Sequence, residues 1–145
     1  MAVFKIEKSE GVWFDYPGGG RVKLRVPTTE DFFRIHKESV ENRPYLHEEE
    51  GKPPRVLNYE VPDNDKAARL TNDCTIMEWE NFFFDEEKKK PIPCTPENKT
   101  ALMRMTDPSF RDFVNDKVKA LDEAQQAKVE AETKNLSTSP SGDPA

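Results

Sequence analysis

All fourteen aromatic residues of this 145-residue chain lie between Phe4 and Phe113. Aromatic side chains bury the largest apolar areas, so their distribution bounds what can pack. Beyond Leu121 the apolar residues are mostly alanine, and the end, Ser137-Thr138-Ser139-Pro140-Ser141-Gly142-Asp143-Pro144-Ala145, has the composition of a flexible tail. The expected organisation is one body over residues 1–121, then a solvated helix extension and disordered tail over 122–145. Phe, Leu, Ile and Val together make about a fifth of the chain, near the level below which chains tend not to fold, so the core must be small.

Several function classes are disfavoured at once. The densest apolar run, Phe82-Phe83-Phe84, is far short of the ~20 residues that span a bilayer, and Met1-Ala2-Val3-Phe4-Lys5 has no signal-peptide character. Membrane insertion is not expected. The net charge of −6 argues against nucleic-acid binding, which needs positive charge concentrated on one face. The longest basic run, Lys88-Lys89-Lys90, directly follows Asp85-Glu86-Glu87 and reads as a self-neutralised turn.

Local patterns predict an α+β fold, with β-hairpins or a short antiparallel sheet packed against three to four helices, the last of them long. Val12 to Tyr16, the turn Pro17-Gly18-Gly19-Gly20 and the strictly alternating Arg21 to Val26 form a β-hairpin. The glycines do not make a phosphate loop, because no GxxxxGK[ST] spacing is present and a strand follows. Thr28-Thr29-Glu30-Asp31 starts a helix with Phe32, Ile35 and His36 on one side, limited by Arg43-Pro44. Residues 47–54 read as a mobile loop, and Val56 to Val61 as a short edge strand. Asp63 or Asp65 caps a helix that runs towards Cys74, and Thr75 to Phe83 reads as a strand or strand pair. Thr95-Pro96-Glu97-Asn98 opens a helix carrying Leu102, Met103 and Met105. The final helix starts after Thr106-Asp107-Pro108 and buries Phe110, Phe113, Val114, Val118 and Leu121. Trp13 and Trp79 precede the threonine caps Thr28 and Thr95 by 15 and 16 positions, which fits either a duplicated unit or two ordinary helix starts.

No catalytic constellation emerges, and no cofactor or metal is expected. His36 and His47 are eleven residues apart, Cys74 and Cys94 twenty, and their spacing matches no zinc-ligand pattern. Reduced thiols are the default for the two cysteines. The remaining signal is for binding. Consecutive aromatics on a strand point to opposite faces, so Phe82, Phe83 and Phe84 cannot all enter one core. Trp79, these three, Met103 and Met105 are the candidate partner-contact residues.

The segment from Leu70 to Leu121 resembles the tail assembly chaperones of long-tailed phages and prophages. Ile76-Met77-Glu78-Trp79-Glu80, the charged turn Asp85-Glu86-Glu87, the helix start Ile92-Pro93-Cys94-Thr95-Pro96-Glu97-Asn98 and the anchors Phe110-Arg111-Asp112-Phe113-Val114 follow that family's order. Leu24-Arg25-Val26-Pro27-Thr28-Thr29 resembles its first half; Phe82-Phe83-Phe84 departs from the small residues usual after the tryptophan. The resemblance implies a non-catalytic protein that binds the tape-measure protein and keeps it soluble while tail-tube subunits polymerise around it. It implies action in the host cytoplasm and absence from the finished virion, with some copies extended by ribosomal frameshifting. It leaves room for contact with the tube protein and for self-association. The competing expectations are a structural tail or neck component retained in the virion and a small acidic regulator of a host protein.

Overall fold

The computed structural model describes residues 10–137, with side chains through residue 131. The predicted hairpin is formed by β1 (Val12–Asp15) and β2 (Arg21–Leu24), and β5 (Ile76–Glu80) pairs antiparallel with the other side of β2. The turn closes through the Tyr16 amide donating to the Gly20 carbonyl at 2.9 Å. Directly opposed residues share a face of a sheet, so Phe14, Val22 and Trp79 form one row and Trp13, Lys23 and Glu78 the row behind it. Val22, Leu24 and Ile76 are fully buried.

The long helix α4 (Ser109–Ser137) lies across the Phe14–Val22–Trp79 face. Phe110 and Val114 complete the core, and Phe113, Val118 and Leu121 flank it, the stripe its sequence periodicity predicts. Past Asp122 the side chains through residue 131 are exposed, and the helix continues to Ser137, roughly 24 Å beyond Leu121 at ~1.5 Å per residue. Residues 138–145, where the tail was expected, lie outside the described residues.

Helices α1 (Thr29–Ser39), α2 (Asn64–Thr75) and α3 (Pro96–Met103) pack in sequence, α1 on α2 and α2 on α3. Their starts follow the expected chemistry. Thr28 and Asp31 form a reciprocal capping box, Asp63 caps α2 through the Lys66 amide, and Thr95 caps α3 through the Asn98 amide. Polar ties join the sheet to the helices and the helices to one another. The Arg25 guanidinium, three-quarters or more buried, donates to Asp31 and to the Cys74 sulfur, each at 2.8 Å. The Lys99 ammonium, 8% exposed, reaches the Asp73 carboxylate at 2.9 Å.

Two expectations are corrected, the end of the first helix and the extent of the strand after Thr75. The first helix stops at Ser39, not at Arg43-Pro44: Val40 is β-branched and Arg43 is restricted by the following proline, so both favour extended backbone. Residues 48–54, within the segment expected as a loop, connect a hairpin of two eight-residue strands, β3 (Val40–His47) and β4 (Arg55–Pro62); β4 contains the expected strand Val56 to Val61, and β3 was not expected. The connection is closed by Glu49, which contacts His47 at 2.9 Å and Lys52 at 3.1 Å. Helix α1 buries Ile35 and Ser39, leaving Phe32 and Phe33 exposed at 54% and 72%. Finally, β5 ends at Glu80 because Asn81 adopts φ 60°, and beyond it only a single bridge, Phe83 to Pro91, continues the pairing. The two tryptophans therefore sit on opposite faces of one sheet, which favours two independent helix starts over a duplicated unit.

Candidate functional site

The β1–β2 turn, the segment after β5, the end of α3 and the start of α4 converge on an open groove of about 610 Å³. Local chemistry fixes each wall. Gly20 has φ +79°, and a Cβ there would lie 2.6 Å from the Phe82 ring and 2.7 Å from the Asn81 carbonyl, so the turn approaches this segment only because it carries glycine. The Phe82 carbonyl accepts from the Ile92 amide at 2.7 Å, and the Phe84 amide donates to the Lys90 carbonyl at 2.8 Å. Asp85 closes the charged turn by accepting from the Lys89 and Lys90 amides at 3.2 and 2.9 Å.

The floor is aromatic. Tyr16 stands at its centre, with ring centroids 5.5 Å from Phe82, 5.8 Å from Phe110 and 5.0 Å from Phe113. Ile92 and Leu102 extend the apolar lining, while Asp85, Glu86 and Lys88 place charge at the rim. Burial, reinforced by Asp107, raises the Tyr16 pKa, so its hydroxyl stays protonated at neutral pH.

Of the six candidate contact residues, Phe82, Phe83 and Met105 line the groove, and Met105 is 49% exposed. Met103 packs half-buried against the core. Phe84, 65% exposed, stands outside the lining. Trp79 is corrected from a contact to a support: it is 6% exposed, and its indole donates to the Ile92 carbonyl at 2.7 Å, pinning one wall from beneath. Tyr16, Gly20 and Phe110 are groove residues that the sequence did not single out. The Tyr-Pro-Gly-Gly-Gly run carried the available signal, because three glycines in a tight turn let other groups approach the backbone closely.

The groove offers apolar contact with charge at its edge and no nucleophile–base pair. Among the described residues, no three or more His, Cys, Asp or Glu side chains gather to hold a metal ion. The thiols of Cys74 and Cys94 are both free, and burial raises both their pKa values, which keeps them protonated and weakly reactive. No described helix is long and apolar enough to cross a membrane. The fold class is α+β with two small antiparallel sheets. No protein-family model, curated protein or solved structure matches the chain.

Proposed function

We propose that this chain is a non-catalytic phage tail assembly chaperone that binds the tape-measure protein and keeps it soluble during tube assembly. The observation that carries the reading is the groove, an aromatic floor with a half-exposed methionine at its rim, on a protein of net charge −6. Such a surface suits the apolar side chains of a helical client. Burying one large apolar side chain yields about 1.5–3 kcal/mol, less than the cost of association, so one site binds weakly. Many copies along one long client gain affinity through multiplicity, and surplus negative charge keeps the coated complex in solution.

Co-expression with the tape-measure protein tests this reading. The wild-type chain should move the tape-measure protein into the soluble fraction, and Met105→Glu with Phe83→Ser should abolish the effect while leaving the chain folded. Equal insolubility with and without the wild-type chain refutes it. Detection of the chain at fixed stoichiometry in purified virions would favour a structural tail component instead.

A further inference from the structure

The β3–β4 hairpin has no third strand: within the described residues it forms a sheet of its own. Its strands present Tyr45, Leu46, Val56 and Tyr59 to solvent at 42–66% exposure. An isolated two-stranded ribbon is marginal in water, and three or more strands are normally needed for independent stability.

The directions of its backbone groups follow from one hydrogen bond. The Asp63 amide donates to the Ser39 carbonyl at 2.8 Å, immediately beyond the opposed pair Val40 and Pro62. Bonded and non-bonded pairs alternate in an antiparallel ladder. The pairs Glu41–Val61, Arg43–Tyr59, Tyr45–Leu57 and His47–Arg55 therefore exchange the hydrogen bonds, and even-numbered residues aim theirs outward. This parity explains how two prolines sit within the strands: Pro44 and Pro62 lie at outward positions, where no ladder bond is lost. It also makes the two edges unequal. Pro44 interrupts the outward donors of β3, whereas β4 presents three in succession, from Val56, Asn58 and Glu60. Natural proteins usually blunt such an edge; here Pro44 blunts β3 in mid-strand, whereas the outward proline of β4, Pro62, stands only at its end.

We propose that the β4 edge pairs antiparallel with β4 of a second copy of this chain, about a two-fold axis at Asn58, giving a four-stranded sheet β3-β4-β4-β3. The edge is self-complementary in this register. Asn58 meets Asn58 of the other copy, Val56 meets Glu60, Leu57 meets Tyr59 and Arg55 meets Val61, so all three donors face carbonyls and no like charges are opposed. Leu57 and Tyr59 extend the Tyr45–Tyr59 ring contact, 5.3 Å between centroids, into a continuous stripe across both copies. Charge favours the same occupant. The two strands carry Glu41 and Glu60 against Arg43 and Arg55, a neutral surface on a chain of net charge −6, so two copies can meet here without mutual repulsion. The pairing is independent of what the groove binds.

Sedimentation and light scattering on the full chain give the test. The wild type should form a dimer with a Kd of about 1–100 μM. Asn58→Pro removes only an outward donor, as Pro44 does, and should give a monomer with unchanged circular dichroism, whose melting temperature, unlike that of the wild type, does not rise with protein concentration. In a Cys94→Ser background, Asn58→Cys should form a disulfide-linked dimer on mild oxidation, because bonded antiparallel partners have Cα atoms ~5.5 Å apart, within disulfide reach. Asn42→Cys, on the blunted edge, should not. A wild type that stays monomeric, as an edge kept for another protein's strand would make it, overturns the proposal. So does a dimer that persists in Asn58→Pro. Should that variant fail to fold, absence of the Asn58→Cys cross-link is sufficient to overturn it.

Discussion

Gly20→Ala is the substitution that most directly probes how the groove is built. Two costs add at this position. An L-residue at φ +79° is in the left-handed region, which costs roughly 1–2 kcal/mol. The new methyl would also sit 2.6 Å from the Phe82 ring and 2.7 Å from the Asn81 carbonyl, closer than carbon atoms approach without displacement. Phe82 cannot swing away freely, because it is held by Tyr16, Trp79 and Phe110 with centroids within 6.0 Å. Overpacking of this kind costs about 1–3 kcal/mol, so Gly20→Ala should destabilise the fold by about 2–5 kcal/mol. Gly18→Ala is the matched control. Its φ is +94°, but nothing lies within 4 Å of the added Cβ, so only the backbone cost applies, about 1–2 kcal/mol. Urea titration of both variants by tryptophan fluorescence measures the difference, and Trp79 reports on the region directly. Equal destabilisation by the two substitutions would refute the claim that close approach, and not turn conformation alone, fixes glycine at position 20.

Two further predictions concern the polar ties. The Asp31 carboxylate accepts from Arg25 at 2.8 Å and from the Thr28 amide at 2.8 Å, which holds its pKa well below the ordinary carboxylate range. A depressed folded-state pKa gives stability that is present above the unfolded value of about 4 and is lost as pH falls towards the folded one. Asp31→Asn should therefore cost about 2–3 kcal/mol at pH 7, and the gap to wild type should narrow steadily below about pH 4 in chemical denaturation; a gap constant with pH contradicts the assignment. For the second tie, Lys99→Met keeps the packed stem and removes the buried charge, and should cost less than about 1 kcal/mol. Asp73→Ala should cost more, about 2 kcal/mol, because it leaves a nearly buried ammonium with only the Asp73 carbonyl at 3.2 Å. The reverse order of the two midpoints in urea would show that the carboxylate contributes nothing to holding α3 on α2.

The elements with local punctuation were legible in the sequence. Thr28, Asp63 and Thr95 announced three helix starts, the glycine turn announced the first hairpin, and the spacing of Phe110, Val114 and Leu121 announced the buried face of α4. What failed depended on non-local partners. Nothing near Thr75 to Glu80 states that β5 pairs with β2, and only that pairing places Trp79 in the core opposite Val22. Phe32 and Phe33 are the largest side chains of α1, yet the helix buries Ile35 and Ser39 instead and turns Asp31 to Arg25. The groove was half-visible for the same reason. Phe82, Phe83 and Met105 were identifiable as aromatic and flexible side chains, whereas Tyr16 and Phe110 join them only through a contact across the whole body.

In residues 40–62 the polar run is the loop its composition suggests, and the strand before it is what the sequence reading missed. The run His47-Glu48-Glu49-Glu50-Gly51-Lys52-Pro53-Pro54 has loop composition, whereas Arg43-Pro44 reads as a helix limit and gives no sign of a strand through Pro44. Parity admits that strand: a proline at an outward position costs the hairpin no bond, and the charged run merely closes its end. The low apolar content has a corresponding cause. Among the described residues only eight apolar side chains are buried, mainly where sheet and α4 meet, while Arg25–Asp31 ties α1 to the end of β2 and Lys99–Asp73 ties α3 to α2. The same chain leaves large apolar side chains in the groove, on α1 and along β3–β4. A body this economical in its own core holds the rest of its large apolar side chains at separate surfaces, which is why a low apolar content coexists with a packed sheet and helix.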